Sequence, residues 1–459
     1  MIARRRMLQN GLAAALWSAA PRARAQSPQP GEGDGYRPLR AAPNQMQILP
    51  EPAARTRILA FDDSVPGPLL RVDKGEPLEL RFVNALDQPT CLSFPGLRMP
   101  NANAGIGGLS QPLVAPGASF DIAFTPPDSG FNLYMPHAGG HTAAQISSGL
   151  YGPIIVDEAT LPAIDLESIV IISDWRLDAQ GQLKDDAFDP ATSRGAGRVG
   201  ALVAVDGQAA PLSVEAVPGA RVRLRLANAT TARVLSIAIE GAKPLIVAID
   251  GQPAESFEPL RNLIPMGPGA RFDMLFDMPR EAESKVRFTL RGGEFAGAPG
   301  EVDMPLILFA GQGAAVAPRP KMAGLAANPL LPAEIDLARA RRLDLAIAGG
   351  GGAPFTLNGA SFVDWAAKPL LAVPKGAPVT LGFANKTAVT QAMRLHGHVA
   401  RLLHPLDDGW EPYWRDTILV APGKTVHVAF VADNPGKWPI ESAIPEHRAA
   451  GVGGWMLVQ

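Results

Sequence analysis

One cysteine, Cys91, is all that the 459 residues contain, so no intramolecular disulfide can form and stability must come from packing alone. No stretch concentrates Lys and Arg. With 19% charged residues and a formal net charge of -2 the chain has no polyanion footprint, and no nucleic-acid partner is implied. After the N-terminal region, no segment is apolar and long enough to span a bilayer. A serine nucleophile elbow, paired catalytic carboxylates and a phosphate-cradling loop are also missing. Gly349-Gly350-Gly351-Gly352 lacks the Lys-Ser/Thr and the helix pattern that a phosphate loop needs, and reads as a flexible entry to the last domain.

Glycine (47) and proline (45), by contrast, are spread along the whole chain, which points to many short elements joined by turns and hence to an all-β architecture. The length exceeds what one hydrophobic core fills and suggests two to four domains. At the N-terminus, Arg4, Arg5 and Arg6 precede Met7 and Leu8, Gly11 to Ala20 form a short apolar run, and Ala23-Arg24-Ala25 has the small-x-small form of a cleavage site. Residues 1–25 therefore resemble a twin-arginine export signal, and the periplasm is the expected location. A membrane anchor is the alternative, but the run falls short of the roughly 20 residues that cross a bilayer.

An internal repeat carries the architecture. The stretch from Pro68 through Gly75 to Asn84 recurs from Pro211 through Gly219 to Asn228, and again from Pro369 through Gly376 to Asn385. In each copy an apolar strand reaches a glycine turn, and a second strand alternates with period two until an asparagine ends it. A second element follows every time: Ala115-Pro116-Gly117, Gly267-Pro268-Gly269 and Ala421-Pro422-Gly423, each before an alternating strand. The expectation is three tandem Greek-key β-sandwich domains, over 44–158, 165–312 and 340–459, with a linker at 313–339 and an extended N-terminal arm at 26–43.

Val65-Pro66-Gly67-Pro68, Pro100-Asn101, Gly149-Leu150-Tyr151-Gly152-Pro153, Leu395-His396-Gly397-His398, Asp433-Asn434-Pro435-Gly436 and the ending from Glu446-His447 to Gly454-Trp455 stand in the order of multicopper oxidase signatures. The chain resembles that family over nearly all of its length. The resemblance implies cupredoxin-like domains, a mononuclear copper held by a cysteine thiolate and two histidines, and a three-copper cluster held by eight histidines from the first and last domains. Those ligands come from four motifs, and this sequence departs from each. Ser93 and Pro95 replace both histidines of the first motif. In the second, Met135 replaces one and His137 survives. Gln391 and Arg394 replace two of the third, leaving His396, and Glu441, Ser442 and Ala443 replace the His-Cys-His of the fourth. His447 survives at a mononuclear position, and Val452 at the axial position cannot coordinate.

Three surviving histidines without a thiolate cannot assemble either centre, so no catalytic residue, metal or cofactor is expected, with copper as the alternative. Arg394 puts a fixed positive charge where a cation would sit, and an Arg394–Glu441 ion pair is expected across the space. The alternative metal site groups His137, His141, His396 and His398 with Met135 and Cys91 around one copper(I) or zinc ion. Trp410, Tyr413 and Trp414 are expected to cap the third sandwich or, if exposed, to anchor a protein partner. Asp62, Asp63 and Asp87 read as solvated turn residues. The leading functional expectation is a non-catalytic structural or interaction protein of the bacterial cell envelope with a periplasmic protein partner, as in the copper-less family members that support cell division. A copper-binding oxidoreductase with a rearranged site, and a non-redox enzyme using Glu441, Arg394 and His396, are the competing readings.

Overall fold

The computed structural model describes residues 35–160, 162–184, 190–293, 302–404 and 409–459, so the expected export signal lies outside the described residues. The fold is the expected one: six sheets form three β-sandwiches of cupredoxin type. Four-stranded sheets face each other in the first, sheets of seven and five strands in the second, and sheets of six and five strands in the third. Among the described residues no helix is long and apolar enough to cross a membrane.

The threefold repeat of the sequence is a threefold repeat of strand pairing. Leu70–Val72 runs parallel to Gly152–Val156, Leu212–Ala216 to Met304–Gly311, and Leu371–Val373 to Trp455–Val458. In the facing sheets Arg37–Met46, Leu166–Trp175 and Arg341–Gly350 lie parallel to Leu78–Asn84, Arg221–Asn228 and Ala377–Asn385. The first of these strands begins at Arg37, so part of the stretch expected as an arm belongs to the first sheet.

The asparagine that ends each repeat is buried and has the same task three times. Asn84 Nδ2 donates to Gln88 O and Val114 O, Asn228 Nδ2 to Arg233 O and Met266 O, and Asn385 Nδ2 to Val389 O and Val420 O. A side-chain amide thus supplies the donor that the chain cannot supply as it leaves one sheet for the other. The turn glycines Gly75, Gly219 and Gly376 all have positive φ, a conformation in which a Cβ is strained.

The three sandwiches meet on a buried ionic junction. Arg271, on the seven-stranded sheet of the second, is 1% exposed. Its guanidinium donates to Asn132 Oδ1 of the first (2.8 Å) and to both carboxylate oxygens of Asp416 in the third (2.7 and 3.1 Å). Asp250 accepts from the Arg271 backbone N–H (3.0 Å) and from the N–H groups of Asp416 and Thr417. Gly96 makes this approach possible, because a Cβ there would stand 1.8 Å from Arg271 Nη2. Replacing Arg271 by Met removes the one guanidinium bonded to Asp416 and leaves two buried carboxylates facing each other with only the unbonded charges of Arg394 and Arg415 nearby, a loss of about 3–5 kcal/mol. The urea midpoint should fall accordingly, whereas Arg81→Met, at a pair with both partners over a third exposed, should change stability by less than about 1 kcal/mol.

Candidate functional site

Alternation along two neighbouring strands of the third sandwich sorts the substituted ligand positions into two groups. On the strand Gly436–Ser442, Trp438 and Ile440 enter the sandwich core, so Glu441 faces outward from it. On the strand Gln391–Leu395, Met393 and Leu395 enter the core, and Arg394, with His396 just beyond, shares the outward face. The register sets Arg394 opposite Glu441 and Met393 opposite Ser442. This outward face meets the first sandwich, where His137 follows the strand Gly130–Pro136. That strand is paired with Leu92–Ser93, and Ser93 Oγ donates to Met135 O (2.9 Å).

The outward group centres on one carboxylate oxygen. Glu441 Oε1 lies 2.8 Å from His137 Nε2, 3.1 Å from His396 Nε2 and 3.7 Å from Arg448 Nη1. Arg448 sits on the short helix Pro445–Ala449 and reaches into the first sandwich. Its Nη1 is 2.6 Å from His137 Nε2, and its Nη2 donates to Gly139 O (2.7 Å) and Thr142 Oγ1 (2.8 Å). Burial pushes His137 down to about 4, helped by the Arg448 charge and opposed by Glu441, so the ring is neutral near pH 7. At Nε2 a neutral ring either donates to Glu441 or accepts from Arg448, but not both. Burial alone would raise Glu441, yet His137 and Arg448 with the two imidazole hydrogen bonds hold it well below the usual carboxylate range.

The expected Arg394–Glu441 ion pair does not form. Arg394 instead donates from Nη2 to Pro268 O (3.1 Å) and Thr417 Oγ1 (3.2 Å), and the carboxylate that most favours its charge is Asp416. Gly269 leaves room for it, since a Cβ there would stand 1.7 Å from Nη2. Burial lowers the Arg394 pKa. A cavity of about 30 Å3 remains between Ser93, Met135, His137, Arg394, His396 and Glu441.

The core-side group is Gln391, Ser442 and His447. His447 Nε2 donates to Gly195 O of the second sandwich (2.8 Å), and its Nδ1 lies 3.1 Å from the Gln391 amide oxygen. Ser442 Oγ accepts from Ile444 N (3.1 Å). Val452 is buried beside them, its N–H bonded to His447 O. Backbone groups thus hold His447 and Ser442 where the family pattern has an imidazole and a thiolate. Helix Pro445–Ala449 consequently grips three sandwiches from three successive residues. Glu446 is buried beside Asp174 and Arg198 of the second, His447 donates to Gly195 there and lies against Gln391 in its own, and Arg448 bonds the first.

Of the alternative metal set, the structure gathers only His137 and His396, and it adds Glu441; these three ligand atoms lie within 4.8 Å of one another. Met135 lines the cavity. Cys91 is elsewhere, its sulfur taking a bond from Gln111 (3.6 Å) and its thiol pushed up to about 11 by burial. His398 packs on Phe430 and Trp438, and His141 lies outside the group on the turn Gly139–His141. Trp410, Tyr413 and Trp414 are not exposed: Trp410 and Trp414 pack in a small cluster of the third sandwich, with Arg401 over Trp414, whereas Tyr413 packs between Arg415 and Phe257 against the core of the second, so it does not cap the third as expected. Arg448 was missed from the sequence, because its partner His137 lies 311 residues away.

Sequence profiles described as multicopper oxidase match residues 44–160, 167–292 and 336–459. Multicopper oxidase MmcO of Mycobacterium tuberculosis is 28% identical over 440 residues, 86% of this chain and 82% of that protein. Cell division protein FtsP of Proteus mirabilis is 26% identical over 307 residues, 64% and 63% of the two chains. The crystal structure of a multi-copper oxidase from Pseudomonas thermotolerans superposes with a TM-score of 0.82 at 29% identity, covering 92% of this chain and 98% of that one.

The buried groups set a pH profile of known sign. His137 and His447, lowered from 6.5 to about 4, are neutral in the fold, so their contribution to stability is complete above about 6.5 and lost as pH falls towards 4. Glu441 acts in the same sense at lower pH. Glu446 acts oppositely: burial pushes it up from 4.5 to about 7, so it favours the fold at low pH and opposes it as pH rises through 7. The melting temperature of Glu446→Gln should therefore match that of the parent near pH 5 and exceed it at pH 8. A constant difference would contradict the assignment.

Proposed function

The chain belongs to the multicopper oxidase family, and we propose that within it this protein works without copper, as a structural or interaction protein of the bacterial cell envelope. One observation carries the reading: the guanidinium of Arg448, 2.6 Å from His137 Nε2, occupies the ligand side of the cluster with a fixed positive charge. A second fixed charge, Arg394, lines the same cavity. The donor set does not fit either copper centre of the family, because Ser442 offers no thiolate, Gln391 and His447 are engaged with each other and with Gly195, and three histidines stand where ten are needed. No oxidase step is derived from these residues.

The envelope role is supported by the relatives named as cell division protein FtsP and by the arginine-led N-terminus. The periplasm is the proposed location and a periplasmic or envelope protein the proposed partner. A cavity of about 30 Å3 does not admit a substrate of the size that pockets of several hundred Å3 take, which argues against a non-redox enzyme at this site. The second reading, a copper-binding protein or oxidoreductase with a rearranged site, draws on the closeness of His137, His396 and Glu441.

The full chain purified from copper-supplemented cells separates the two. The copper-free reading predicts far less than one copper per chain by elemental analysis, no thiolate-to-copper band and no oxidation of phenolic substrates. Stoichiometric copper would overturn it.

A further inference from the structure

We propose that Arg448 is an internal cation standing in a latent mononuclear metal site, and that removing its guanidinium turns His137, His396 and Glu441 into a three-ligand site for a divalent ion of zinc type. The inference deepens the copper-free reading and rests on it.

The donor set is two imidazoles and a carboxylate, each buried, presented as Nε2, Nε2 and Oε1 within 4.8 Å of one another. Two nitrogens and an oxygen with a fourth position open to water are a ligand complement that zinc accepts. The cavity of about 30 Å3 beside the carboxylate has room for that water-sized fourth ligand. The imidazole already leans on a cation: Arg448 Nη1 is 2.6 Å from His137 Nε2 and 3.7 Å from Glu441 Oε1, closer to the former than a metal and a guanidinium can share. Nη2 anchors the group on Gly139 O and Thr142 Oγ1, so it is held in place from the first sandwich and does not simply trail in solvent.

The probe is Co(II), which reports tetrahedral nitrogen-oxygen coordination by visible d–d bands, with Zn(II) as competitor. Arg448→Met in the full chain should take up about one Co(II) per chain, with bands that Zn(II) abolishes, and the parent protein should show none under the same conditions. Adding His396→Ala to Arg448→Met should abolish the bands. If Arg448→Met does not fold alone, it is refolded with and without Zn(II): metal-dependent recovery supports the proposal, and failure in both overturns it. A folded Arg448→Met that binds no cobalt overturns this inference but leaves the copper-free reading standing. Equal cobalt uptake by the parent overturns it too, because Arg448 would then exclude nothing. Copper in the parent would instead sink the copper-free reading.

Discussion

The Glu441 carboxylate is buried where the first and third sandwiches meet, and the way it is neutralised joins the two. An ionised carboxylate taken out of water carries a penalty of several kcal/mol unless a well-placed partner offsets it. Nε2 atoms of two imidazoles lie against Oε1, and burial with the Arg448 charge keeps the His137 ring neutral. The charge comes from Arg448, on a different element of the same sandwich, whose other nitrogen is bonded to the first. Neutralising one carboxylate therefore ties the first sandwich to the third, across a separation of 304 residues between His137 and Glu441.

The same solution recurs a short distance away. Arg271 offsets Asp416 and Asp250 at the point where all three sandwiches touch, and Arg394 reaches into that junction rather than across to its own strand neighbour. Two glycines, Gly96 and Gly269, leave the space that the two guanidinium groups fill. At both places an arginine is the cation between sandwiches. A guanidinium holds geometry by directed donors as a metal does by coordination, but it offers no open position and no redox chemistry.

The fold was legible because period-two alternation, a turn glycine and a terminal asparagine recur three times, and each has a direct structural cause: sheet faces, positive φ and an amide that bonds two carbonyls. Ser93, Pro95, Met135, Gln391, Arg394, Glu441, Ser442 and Ala443 could be proposed as substituted ligand positions because the motif spacing of the resemblance runs through them. Their new partners were not legible. Cross-strand register places Arg394 and Glu441 opposite each other, as expected, yet a long side chain follows the local field, and Asp416 with the Thr417 hydroxyl draws Arg394 away. Arg448 meets His137 over a separation of 311 residues, which no local pattern encodes.

Anomalous diffraction at the copper absorption edge, from crystals of the full chain grown with copper, tests the central claim most directly. The account predicts no anomalous peak among His137, His396 and Glu441, with the Arg448 guanidinium lying between His137 and Gly139. A peak at bonding distance from His137 Nε2, with Arg448 turned away, would contradict it.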